Sequence, residues 1–151
     1  MNPILVDFPE DKARRFQEAL DATSTIHPAW LHFFTVRNVS GVTNDTTVLM
    51  CINPQPEYRQ ANIEVFRTFW EHEWQPGELV HRVAHERFHL FVEPLIETAL
   101  DVLNSAYPED GPFKALAKAR LTKALETVVE DLAVWWTTNN HSTINQPKKG
   151  K

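Results

Sequence analysis

The sequence predicts an α+β domain in which a small sheet of three or slightly more strands packs on one motif-bearing helix and one long C-terminal helix. Stretches rich in β-branched and aromatic residues fall in the first half of the chain, and helical apolar spacing dominates the second. A length of 151 residues with 42% hydrophobic content is enough for one real core without a disulfide or metal to hold it. We expect one domain over residues 1–136 and a polar, disordered tail over 137–151.

After a short apolar lead, Asp11 to Ala22 sets Ala13, Phe16, Ala19 and Leu20 on one side, as an amphipathic helix does. Trp30 to Val36, Thr46 to Ile52 and Asn62 to Phe66 read as strands. Between the first two lies Asn38 to Asp45, whose Gly, Asn and Asp suit a hairpin loop, while Pro54 and Pro56 favour an extended connection onward. From Pro76-Gly77 the pattern becomes helical, with Val80, Ala84, Phe88 and Phe91 as the apolar stripe. Pro94 has no backbone donor and disfavours helix at Glu93, so the helix should end or kink there before a second piece from Leu95 to Leu103. Phe113 to Trp136 reads as a long helix, its stripe running through Leu121, Ala124 or Leu125, Val128, Leu132 and Trp135.

Charge and cysteine usage exclude several function classes. Twenty acidic against 15 basic residues, a net charge of -5, offer no footprint for a phosphate backbone, so nucleic acid is not an expected partner. The lone Cys51 rules out an intramolecular disulfide and every multi-cysteine zinc module, leaving metal chemistry to His and carboxylates. No basic leader and no membrane-length apolar run are present, which predicts a soluble cytoplasmic protein without a membrane partner.

His85-Glu86-Arg87-Phe88-His89 is an H-E-x-x-H motif inside the best helical segment. Residues four apart share a helix face, so both imidazoles can reach one zinc ion (Zn2+), and Glu86 can lean over it as a proton acceptor for an acidified water. A catalytic zinc takes a third protein ligand. Glu93 lies on the same face but next to Pro94, and Glu97 needs a sharp turn of the chain. Glu126 and Glu130 are the stronger candidates, because they interrupt the apolar run of the long helix, where an inward carboxylate is costly unless paired or metal-bound.

Together, His85-Glu86-Arg87-Phe88-His89 and Glu126-Thr127-Val128-Val129-Glu130-Asp131-Leu132-Ala133 resemble the motifs of small zincin-type metallopeptidases, especially minimal ones of phage and prophage genomes. More distantly the pair is similar to the ImmA/IrrE-type domains. The resemblance implies a zincin-like fold, zinc held by His85, His89 and Glu126, Glu86 as general base, and hydrolysis of a peptide or protein substrate, in the host cytoplasm if phage-encoded. Glu130 stands where related domains carry Asn or Asp, and Val129 replaces a small Ala, which keeps Glu130 open as the alternate third ligand. Arg87 and Phe88 are bulkier than is usual inside the motif.

Other residues carry weaker signals. His81, four before His85, is expected at the surface, with a place behind the ligands as the alternative, and His72, which has no spacing partner, is expected at the surface. Tyr107, Tyr58 or His141 could donate to an oxyanion. The strand Asn62 to Phe66 sits just before the motif helix, where the resembling zincins place an edge strand that pairs with an extended peptide; the alternative is that it is simply part of the sheet. The Trp residues, including Trp70, Trp74, Trp135 and Trp136, are expected in core and interface packing. The rival readings are a catalytically inactive zincin-fold protein that binds a protein partner and a metal-free helical interaction module.

Overall fold

A four-stranded mixed sheet packs against two long helices in the computed structural model, which describes residues 4–6, 10–39, 49–75 and 77–144. In chain order the elements are β1 (Ile4–Val6), α1 (Glu10–Ala22), β2 (Phe33–Asn38), β3 (Met50–Gln55), β4 (Gln60–Val65), a short α2 (Arg67–Glu71), α3 (Glu78–Ala106) and α4 (Pro112–Ile144). The α+β expectation therefore holds, with β1 formed by the apolar lead as an additional strand.

The strand order is β1-β2-β4-β3, with β2 parallel to both of its neighbours and β3 antiparallel to β4. This corrects the expected hairpin between the first two predicted strands. The hairpin joins β3 to β4 instead, through a 3-10 turn at Pro56–Tyr58 and Arg59 in the left-handed region (φ 53°). Pro54 gives the reason: without an N–H it cannot serve neighbours on both sides, so β3 takes an edge of the sheet. β4, whose Ala61, Ile63 and Val65 are fully buried, sits between β2 and β3 and cannot be the peptide-pairing edge expected of Asn62 to Phe66. Of the expected loop and second strand, Ser40 to Val48 lie outside the described residues.

Inward residues of β2, β3 and β4 meet Phe16, Ala19 and Leu20 of α1, Phe69 of α2, and Leu79, Val83 and Leu90 of α3 in one core. A smaller cluster of Ile26, Ala84, Ala133 and Trp136 joins α3 to α4. Sandwiched in this way, α3 is buried almost all round from Val83 to Leu90. Phe91, expected in its stripe, is 42% exposed. The helix also runs unbroken through Pro94, against the expected end or kink. Proline inside a helix costs ~3 kcal/mol, and the packing of the preceding turns on both the sheet and α4 offsets it.

α4 buries Leu125, Val129, Ala133 and Trp136, not the expected Val128 and Trp135, which are 46% and 62% exposed. Val128-Val129 and Trp135-Trp136 are adjacent apolar pairs, so two stripes one residue apart are equally apolar by sequence. The buried stripe is the one bordered by Glu126 and Glu130, which meet histidines of α3. α4 also continues to Ile144, past the Trp136 at which the disordered tail was expected to begin. Thr137 Oγ1 and Asn140 Nδ2 donate to the carbonyls of Ala133 and Trp136, both at 2.8 Å. Asn145 to Lys151 lie outside the described residues. Among the described residues no helix is long and apolar enough to cross a membrane.

Candidate metal centre

The motif helix begins at a defined point. Gly77, at φ 87°, turns the chain into α3, and the Glu78 carboxylate accepts the Gln75 N–H at 3.0 Å. His72, expected to stand alone, sits 3.0 Å from Glu78 and edge-on to Trp74. Seven and eleven residues after Glu78, where α3 is most deeply buried, come His85 and His89.

α4 runs alongside and brings Glu126 to them. His85 Nε2 and His89 Nε2 are 3.3 Å apart, and the Glu126 carboxylate lies 3.5 Å from the first and 3.7 Å from the second. Among the described residues this is the one set of three His, Cys, Asp or Glu whose donor atoms converge in this way. Ligand atoms ~2.0–2.1 Å from one ion at the tetrahedral angle stand ~3.4 Å apart. The His85–His89 edge falls close to that value, and the Glu126 carboxylate approaches each ring through a different oxygen, Oε2 toward His85 and Oε1 toward His89.

The chemistry of the donors points the same way. Burial lowers the pKa of His89, and the neighbouring His85 lowers it further against the pull of Glu126, so its imidazole is neutral at physiological pH. Two ring nitrogens and a carboxylate facing one another form a donor set that a cation satisfies. The cluster is therefore capable in principle of coordinating a divalent metal such as zinc.

Glu130, the alternate third ligand by sequence, is not in this cluster. Its Oε2 meets His85 at Nδ1, 2.9 Å away on the opposite edge of the ring, and its Oε1 lies 3.1 Å from His81 Nε2. A proton on His85 Nδ1, donated to Glu130, leaves the Nε2 lone pair aimed at His89 and Glu126. Burial raises the pKa of Glu130, but its hydrogen bonds from His85 and His81 and the charges of both outweigh that and hold it below the ordinary value. His81 is thus not a surface residue but the far end of a chain that continues from its Nδ1 to Thr137 Oγ1 at 3.4 Å. The signal was present in the spacing: His81 and His85 are four apart on one helix, Glu126 and Glu130 four apart on its antiparallel neighbour.

Glu86 is 6% exposed and lines a cavity of about 320 Å³ together with the cluster, Arg82 and Glu93 on one wall and Met50, Cys51 and Ile52 of the edge strand β3 on the other. Burial pushes its carboxyl up to about 8, with Arg82 pulling it down and Glu126 and Glu93 adding to the rise. Cys51 is pushed up to about 11, chiefly by burial and then by Glu64, Glu86 and Glu93, so it presents a thiol and not a thiolate.

The bulk of the motif's middle residues does not close this cavity. Arg87 is 1% exposed and points away from it into the core, donating to the carbonyls of Leu20 and Ile26 at 3.1 Å each and stacking 5.0 Å above Phe34. Phe88 packs against the small α3–α4 cluster. Glu93 faces the cavity without joining the ligand set, and Glu97 is exposed. Neither Tyr58 nor Tyr107 lines the cavity; they are 67% and 47% exposed, and the His141 side chain lies outside the described residues. No family model, curated protein or solved structure matches this chain, and the character of the centre is that of its own donor geometry.

Proposed function

We propose that the protein is a zinc-dependent metallopeptidase of zincin type, hydrolysing a peptide bond in the cavity between α3 and β3. The observation that carries this reading is the convergence of His85, His89 and Glu126 with the buried Glu86 carboxylate in the same cavity. His85, His89 and Glu126 would hold the ion, and Glu130 would fix the His85 ring. Zinc bound there would supply a Lewis acid that polarises a carbonyl and acidifies water. Glu86 takes the proton of the attacking water as the C–O bond forms, then delivers it to the amine nitrogen as the C–N bond breaks.

The surroundings of Glu86 suit that work. A carboxyl held up by burial is a stronger base toward the attacking water than a solvated one once it is ionised, and Arg82 and a bound divalent ion both favour the ionised form. β3 supports the choice of substrate: as an antiparallel edge strand against the cavity it offers backbone groups to an extended chain, a mode in which main-chain pairing supplies the affinity. The two motifs' resemblance to small phage and ImmA/IrrE-type zincins agrees with this reading.

The test is metal analysis of the purified full chain followed by cleavage of a broad peptide library. We expect one zinc per chain and cleavage products that disappear in Glu86→Gln with the metal retained. Absence of stoichiometric zinc in wild type, or undiminished cleavage by Glu86→Gln, overturns the proposal.

A further inference from the structure

The same cavity contains two polar groups that the ligand set and the proposed base do not use. Arg82 Nε and Glu93 Oε2 are both buried from solvent, and neither has a hydrogen-bond partner. Both side chains line the cavity, one on each side of the metal cluster along α3. Among the described residues no carboxylate lies within ion-pair distance of Arg82, and no base lies within that distance of Glu93. Buried polar groups left in this way are costly, and a guanidinium or carboxylate more so than an amide.

The two ends differ in sign. Eleven residues separate Arg82 from Glu93, which is about 16 Å along a helix axis, or about five residues of extended chain. At the Glu93 end, burial and the nearby carboxylates of Glu97 and Glu126 hold the Glu93 carboxyl up to about 7. A cationic group seated at that end would favour the ionised form of Glu93. At the other end, the Arg82 guanidinium is the cation whose field reaches Glu86. A cavity that is positive at one end and negative at the other, with the candidate metal cluster between, selects a ligand of matching polarity.

We infer that this cavity selects a dipolar peptide, one that presents an anionic group to Arg82 and a cationic group to Glu93 on opposite sides of the bond at the metal centre. The inference rests on the peptidase reading and adds the substrate class to it. Arg82 suits a carboxylate through a forked pair of hydrogen bonds, and Glu93 Oε2 accepts from an ammonium or guanidinium. The two charges have two possible sources, acidic and basic side chains of a longer chain or the free termini of a short one.

The experiment measures binding apart from turnover. Fluorescent peptides are titrated into zinc-loaded, full-length Glu86→Gln protein and followed by anisotropy. One series has blocked termini and carries an acidic and a basic residue in either order, three to five positions apart. A second is a set of short peptides with neutral side chains and free termini, and a third is neutral and blocked throughout. We expect one charge order in the first series, or the free-termini series, to bind at least tenfold more tightly than the neutral series, and the reversed order to lose that advantage. Arg82→Gln and Glu93→Gln should each reduce the preference roughly tenfold at their own end only. Equal binding of dipolar, reversed and neutral peptides overturns the inference while leaving peptide hydrolysis standing, and it does so in the Glu86→Gln background alone, whether or not the Arg82 and Glu93 variants fold. Binding of no peptide in any series overturns the inference too, and library cleavage by the wild-type chain then decides the peptidase reading separately.

Discussion

Removing the Glu86 charge should change how the metal-free protein responds to pH. In the unfolded chain this carboxyl titrates near 4.5, and in the folded, metal-free state burial pushes it up to about 8. A raised folded pKa means that the folded state holds the proton more tightly. The associated stability is complete below pH 4.5 and is lost as the pH rises through 8. Between pH 6.5 and 8 the linkage relation gives a loss on the order of 1–2 kcal/mol from this group alone, or roughly a few degrees in Tm for a chain of this size. The window avoids acid pH, where the lowered His89 and Glu130 act in the opposite sense, each losing its contribution as the pH falls. Thermal unfolding of chelator-treated wild type and Glu86→Gln, followed by circular dichroism at four pH values, reads the difference. Wild type should lose stability across the window, and Glu86→Gln should keep only the smaller slope that Glu93 adds. Zinc should flatten the wild-type curve, because a nearby cation stabilises the ionised carboxylate. Parallel curves for the two metal-free proteins would refute the placement of Glu86 as a buried, uncompensated acid.

Other outcomes follow from the same geometry. Glu130→Gln keeps the shape but weakens the hold on the His85 ring, so zinc affinity measured by competition with a chromophoric chelator should fall about 10–100-fold, with the fold intact by circular dichroism. Arg87→Met removes the guanidinium's hydrogen bonds to the Leu20 and Ile26 carbonyls and should cost about 2–3 kcal/mol in urea unfolding, while zinc stoichiometry of the folded fraction stays at the wild-type value. Cys51 should react with a thiol reagent in native protein at pH 8 at least tenfold more slowly than in urea, since its thiol is half-buried and pushed up to about 11.

Local patterns carried much of the site. The four-residue spacing of His85 and His89 is a statement about one helix, and a helix closes its own hydrogen bonds locally, so the shared face needs no tertiary information. The same holds for α1, whose buried Phe16, Ala19 and Leu20 are those of its apolar stripe. Glu126 was legible as a ligand candidate because a carboxylate interrupting an apolar stripe needs a partner.

What the sequence by itself determined is therefore most of the longer local elements and the spacing of the five-residue motif. Only the tertiary structure decided which of Glu126 and Glu130 joins the His85–His89 cluster, because two carboxylates four apart on one helix differ only in which edge of the His85 ring they meet across an interface. Packing likewise decided which of two adjacent apolar stripes α4 buries, and carried α3 through Pro94 where local propensity predicts a break. It also made β3 the edge beside the cavity and enclosed β4, since strand order depends on pairings between residues distant in sequence, to which no local periodicity refers.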